Sequence, residues 1–185
     1  VTALKNIVMQ RQEKIQYQLM VSFMVPKALK DCSVTDQENF KRAELQRLEE
    51  IKPFFIKTSK GWIEAYSALS EYLKGTDEEA LLKITDAIRI NKDEVLFGAL
   101  KVELLARRAQ FLLKNQGKES TELKSVLQET TALYQTVLKA ELPKSLILAL
   151  TLDYARFSLA MGDQQMSVQN YKNYVSLETK NRGAF

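Results

Sequence analysis

The 185-residue sequence predicts an all-α fold, an array of antiparallel helical hairpins, and three observations carry that prediction. Glycine (6) and proline (3) are scarce, which disfavours turn-rich β folds and long linkers. No segment alternates apolar and polar residues between hairpin signals, as a half-buried strand would. Helix punctuation recurs instead. Thr35-x-x-Glu38, Thr76-x-x-Glu79 and, in weaker form, Asn91-x-x-Glu94 read as capping boxes. Gly75, Gly117 and Gly162 fall where a C′ glycine closes a helix.

These signals divide the chain in order. Helices are expected over 2–24 and, from Pro26 onward, 27–32. The Thr35 box opens 36–58, and 60–74 closes at Gly75. The Thr76 box opens 77–90, and 93–115 closes before Gly117. Then follow 120–140, 144–161 behind Pro143, and 164–178 behind Gly162. A proline near a helix start loses no hydrogen bond, because its missing N–H would have had no helical acceptor. Leu123, Val126, Leu127, Leu133, Val137 and Leu138 make a 3.6-period apolar face. Met166, Val168, Tyr171, Tyr174 and Val175 make a second, broader one. Short connections imply antiparallel neighbours, and the expected organisation is a single all-helical domain over 1–185.

Composition narrows the chemistry. No apolar run approaches the roughly 20 residues that span a bilayer, and no signal-peptide pattern opens the chain. The single cysteine, Cys32, cannot form an internal disulfide and reads as an inert small hydrophobe. A cytoplasmic location, with the nucleus also open, is the expectation. The net charge of +4 is spread along the chain, unlike the clustered charge of a dedicated nucleic-acid binder. Histidine is absent, which removes Ser-His-Asp and Cys-His catalysis, the usual zinc sites, and the Glu-x-x-His of di-iron bundles. Neither glycine-loop nucleotide signature occurs. Carboxylates sit on solvated faces such as "LQRLEE" and "TDEEALL". A binding module without cofactor or metal is expected, rather than an enzyme.

The segment "FGALKVELLARRAQFLL" carries the informative charges. Glu103 lies four residues before Arg107, the favourable order for a surface pair. Lys101 and Arg108 differ, because a helical wheel puts both on the stripe that holds Leu105 and Leu112. Burying two cations there is costly without an anionic partner. They either snorkel to water or line a site that expects negative charge.

From residue 93 onward the order of features resembles the 14-3-3 family. "DEVLFGALKVELLARRAQFLL" is similar to that family's fifth helix, in which lysine, six residues, then arginine sit in an apolar frame, as Lys101 and Arg108 do. "LKSVLQETTALYQTVLKAELPKS" resembles the sixth helix and its turn. "LILALTLDYARFSLAMGDQQMSVQNYKNYVSLE" resembles the seventh and eighth, with Leu148-Ala149-Leu150 at the family's Leu-Ala-Leu. "IKPFFIKTSKGW" is similar to a third-helix stretch with lysine ten positions before tryptophan, here Lys52 and Trp62. The resemblance implies a cup-shaped helical homodimer that binds phosphoserine or phosphothreonine segments of partner proteins. It implies a phosphopeptide site at Lys52, Lys101, Arg108, Leu150 and Thr151, with Lys60 compensating as a point charge. Three family ligands are replaced, by Ser59, Ala109 and Thr151. A phosphoester carries about −1.5 to −2 charge and favours several charge-assisted donors, so a re-tuned pocket is implied. Pro53 is expected to interrupt a continuous third helix.

Two other readings stay open. The segment 148–178, with its small residue, Gly-Asp turn and second-helix tyrosine, also resembles a tetratricopeptide repeat. That reading implies a scaffold for unmodified peptides or protein surfaces, although no 34-residue self-similarity is evident elsewhere. RNA binding through "KPFFIKTSKGW", where cations interleave with aromatics, ranks last for want of a wider basic surface. Trp62 is expected in the core, and Tyr171 and Tyr174 in helix packing.

Overall fold

A computed structural model describes residues 32–55 and 61–182. They form seven α-helices and no strand: α1 Val34–Phe55, α2 Trp62–Lys74, α3 Asp77–Ile90, α4 Val95–Gln116, α5 Thr121–Leu138, α6 Lys144–Ala160 and α7 Gln164–Arg182. The expected helices over 2–24 and 27–32 lie outside the described residues. The described residues gather into two compact units, divided between Lys92 and Asp93. Sequential neighbours within each unit make the main contacts.

In the first unit α1 is capped two residues earlier than the Thr35 box suggests. The Asp36 N–H donates to the Ser33 hydroxyl oxygen at 3.2 Å, and that hydroxyl donates to the Asp36 carboxylate at 2.6 Å. Ser33 thus satisfies the first turn and leaves Thr35 inside the helix. The helix runs through Pro53 to Phe55, so the expected interruption is absent up to that residue. A proline in the final turn forfeits one backbone bond. Burial joins α1 to α2. Leu48 and Tyr66 are fully buried, and the Tyr66 hydroxyl donates to the Leu48 carbonyl. Glu44, also buried, accepts two bonds from Arg47; the Glu44 carboxylate raises the guanidinium's pKa further. Trp62, Ala65, Ala68, Leu69 and Leu73 complete the burial of α2, as expected for Trp62.

A two-residue turn joins α2 to α3. The Gly75 N–H donates to the Tyr72 carbonyl at 3.2 Å and the Thr76 N–H to the Glu71 carbonyl at 3.0 Å. Gly75 has φ +87°, a left-handed conformation that costs an L side chain about 1–2 kcal/mol. The Thr76 hydroxyl makes no capping bond. It turns back to donate to the Glu71 carbonyl at 3.1 Å, because the tight turn puts that residue within reach.

The turn from α6 to α7 in the second unit repeats this chemistry. The Gly162 N–H donates to the Leu159 carbonyl at 3.0 Å and the Asp163 N–H to the Ser158 carbonyl at 2.9 Å, with Gly162 at φ +85°. Small buried residues recur in the same register. Seven positions before the glycine stand Ala68 and Ala155, and five after it stand Ala80 and Ser167; none exposes more than 2% of its surface. Small residues at both places let two helix backbones approach closely. At the second hairpin the Ser167 hydroxyl spans the gap and donates to the Ala155 carbonyl at 3.0 Å. The two hairpins thus share the backbone bonds around the turn glycine and the register of small buried residues, although two residues connect the first pair of helices and three the second.

Within the second unit α6 packs against α4, α5 and α7. Leu146, Leu150, Tyr154, Ala155 and Phe157 are buried around much of its circumference, as befits a central helix. Tyr134 of α5 stacks on Tyr154 with centroids 4.4 Å apart, a pair worth about 0.5–1.5 kcal/mol beyond its area. The expected apolar face of α5 holds, with Leu123 and Val137 buried. That of α7 does not. Val168 and Val175 are more than half exposed, whereas Ser167 and Asn170 are buried. Close approach to α6 selects small and self-satisfied side chains, and the Asn170 amide donates to the Met166 carbonyl at 2.9 Å. Tyr171 and Tyr174 are half-buried, and Cys32 is exposed.

Candidate functional site

Lys101 and Arg108 lie on α4 facing α5, and each meets a carboxylate there. The Lys101 ammonium is 2.7 Å from Glu129 and the Arg108 guanidinium 2.6 Å from Glu122. Seven residues separate the cations, and seven separate the glutamates in reverse order. That is the signature of two antiparallel helices in a single register. The cationic side chains are only 18% and 25% exposed, their partners about half exposed. Desolvation of each cation is thus offset from within the chain.

The Arg108 pair also fastens the hairpin turn. Hydrogen bonds, first from Arg108 and then from Gln116, hold the Glu122 carboxyl below the usual carboxylate range. Gln116 in turn accepts from the Ser120 hydroxyl at 2.6 Å, and Ser120 caps α5 by accepting from the Leu123 N–H at 3.2 Å. The Arg108 guanidinium lies 5.9 Å from the exposed Phe111 ring. Farther along the seam Gly98 faces α5. A Cβ placed there would come 3.0 Å from a Val137 methyl, so the two helices touch closely on the register that the ion pairs set.

The other predicted positions scatter. Lys52 sits exposed in the last turn of α1, 3.6 Å from Glu49, in the first unit. Lys60 lies outside the described residues, as does Ser59. Leu150 and Thr151 are buried in α6. The Thr151 hydroxyl donates to the Ile147 carbonyl of its own helix at 2.7 Å.

Thr151 nevertheless borders a cleft of about 380 Å³ at the junction of α5, α6 and α7, within the range of roughly 300–1,000 Å³ typical of ligand pockets. Leu138, Ile147 and Leu177 supply its aliphatic wall, and Asn170, Asn173 and Ser176 stand along one side of α7. Among the described residues its lining carries no charged side chain. The Asn173 side-chain oxygen accepts from Gln169 at 3.2 Å. Sequence reasoning did not find the carboxamides, which carry no motif.

Comparison with family models, with curated proteins and with solved structures finds no match. Among the described residues no group of carboxylates and thiols could hold a metal ion, and no helix is long and apolar enough to cross a membrane.

Proposed function

We propose that the chain is a helical-hairpin scaffold, tetratricopeptide-like in style, that binds unmodified segments of partner proteins. The recurrence of one hairpin pattern carries this reading: the same pair of backbone bonds around the turn glycine and the same pair of small buried positions appear at Gly75 and at Gly162. One such hairpin cannot bury both of its faces, and stacked hairpins expose extended surfaces suited to peptide and protein ligands. The α4–α5 hairpin contributes a third pair of helices with a different turn.

A phosphopeptide adaptor in the manner of the 14-3-3 family is the second reading. Lys101 and Arg108, on one face of α4 at that family's spacing, favour it. In this reading a phosphoester must displace Glu122 and Glu129, which are tethered beside their cations. Its extra charge competes against two carboxylates that are never more than a side-chain rotation away.

One titration separates the two. A phosphoserine peptide library and its unphosphorylated counterpart are titrated against the protein and against Arg108→Gln, with a thermal melt confirming that the variant folds. The scaffold reading expects comparable binding of both libraries, unaffected by the substitution. Binding that requires phosphate and disappears with Arg108→Gln would reverse the order.

A further inference from the structure

Resting on the scaffold reading, we infer that the α5–α6–α7 cleft is a peptide site selective for an uncharged segment, gripped through its backbone by Asn173 and Ser176 of α7. The first hairpin supplies the argument. Counted from the turn glycine, Thr151, Asn170, Asn173 and Ser176 occupy the positions held in the other hairpin by Glu64, Lys83, Asp86 and Arg89. All four are charged there, and Asp86 and Arg89 pair with each other at 3.3 Å. The hairpin motif therefore tolerates charge at the two exposed places, 173 and 176, whereas Thr151 and Asn170 are buried where Glu64 and Lys83 are not. The neutral Asn173 and Ser176 of the second hairpin belong to the cleft and are no requirement of the fold.

The neutral set also carries a cost. Asparagine is among the poorer helix formers, and α7 places two of them within one turn of each other, Asn170 and Asn173. A carboxamide presents a donor pair and an acceptor, the same complement as a peptide bond. Asn173 is exposed, Asn170 lines the floor at 5% exposure, and the Ser176 hydroxyl stands one turn beyond Asn173. Asn170, Asn173 and Ser176 stand beside an aliphatic wall of Leu138, Ile147 and Leu177, and their amides and hydroxyl offer the donors and acceptors that a peptide backbone pairs with. A charged residue entering this cleft would meet no counter-charge among its described lining.

The test begins with phage-displayed random dodecapeptides selected on the full chain. Enriched sequences are synthesised and titrated by fluorescence anisotropy against wild type, Asn173→Ala, Ser176→Arg and Val168→Lys, with melting curves as a check on folding. The expected result is enriched peptides sharing an uncharged core of a few residues. Their affinity is expected to fall about tenfold in Asn173→Ala, the scale of lost backbone hydrogen bonds, and further in Ser176→Arg. Val168→Lys, on the other side of α7, is expected to bind like wild type. Peptides that bind with affinities indifferent to both cleft substitutions, or that share a charged core, would overturn the inference and leave the scaffold reading standing. No enrichment at all would sink both.

Discussion

Gly98 offers the sharpest stability test of the α4–α5 seam. Gly98 is the fourth residue of α4, and replacing a helical glycine by alanine ordinarily stabilises a helix by up to about 0.8–1.0 kcal/mol. Here the new methyl would stand 3.0 Å from Val137 Cγ2 and 3.7 Å from Leu133 Cδ1. Val137 is 2% exposed, and a β-branched residue in a helix has essentially one rotamer, so it cannot swing aside. Overpacking of that kind costs about 1–3 kcal/mol. Gly98→Ala is therefore expected to lose roughly 0–2 kcal/mol rather than gain one. Val137→Ala removes two buried carbons and is expected to cost about 2 kcal/mol. Because the methyl added in one variant fills space vacated in the other, the double variant is expected to beat additivity by about 1 kcal/mol. Urea melts with unchanged slope read all four proteins. A Gly98→Ala protein that gains the full propensity increment, or a strictly additive double, would refute the close approach and with it the register.

The remaining expectations follow from the same contacts. Arg108→Glu is expected to lower the melting temperature, and adding Glu122→Arg to recover most of the loss, with the recovery shrinking in high salt. The Glu122 carboxyl titrates below its ordinary value, so the stability it lends is present above the unfolded pKa of about 4.3. That stability is lost as pH falls through the lower folded value. A carbon-detected NMR titration of Glu122, with and without Arg108→Gln, checks that sign. Gly75→Ala and Gly162→Ala are each expected to cost about 1 kcal/mol; urea melts that set them far apart would count against the equivalence of the two turns. Tyr66→Phe removes the buried bond to the Leu48 carbonyl and is expected to cost about 1 kcal/mol, read by the same melts.

Helix existence was legible because caps and C′ glycines act locally. The helices at 77–90 and 144–160 lie where Thr76, Pro143 and Gly162 put them. Finer assignments failed where a competing local contact intervened. The Thr76 hydroxyl was drawn back to Glu71 by a turn whose geometry a linear motif does not encode, and Ser33 took the cap that Thr35 promised. The wheel for residues 97–113 correctly isolated Lys101 and Arg108 as cations needing an anion. It could not name the anion, because a wheel of one helix is blind to the register of the next. The matching seven-residue spacing of Glu122 and Glu129 was the available signal. The recurrence of the hairpin was harder to see. It resides in two alanines, two glycines, an alanine–serine pair and backbone bonds, and so leaves almost no trace at a 34-residue period. The face of α7 misled in the opposite direction, because its valines are periodic yet point outward, while close packing selects Ser167 and Asn170.

The central claim is that Lys101 and Arg108 serve the α4–α5 register and that ligand binds elsewhere, in the α5–α6–α7 cleft. Amide and arginine-side-chain NMR spectra, recorded while one selected peptide is added in unphosphorylated and phosphoserine forms, test it most directly. The account predicts that both forms shift signals of α6 and α7 near Thr151 and Asn173, and that the Arg108 Nε–Hε signal stays in place. An Arg108 signal that moves, and moves only with the phosphorylated peptide, would contradict it.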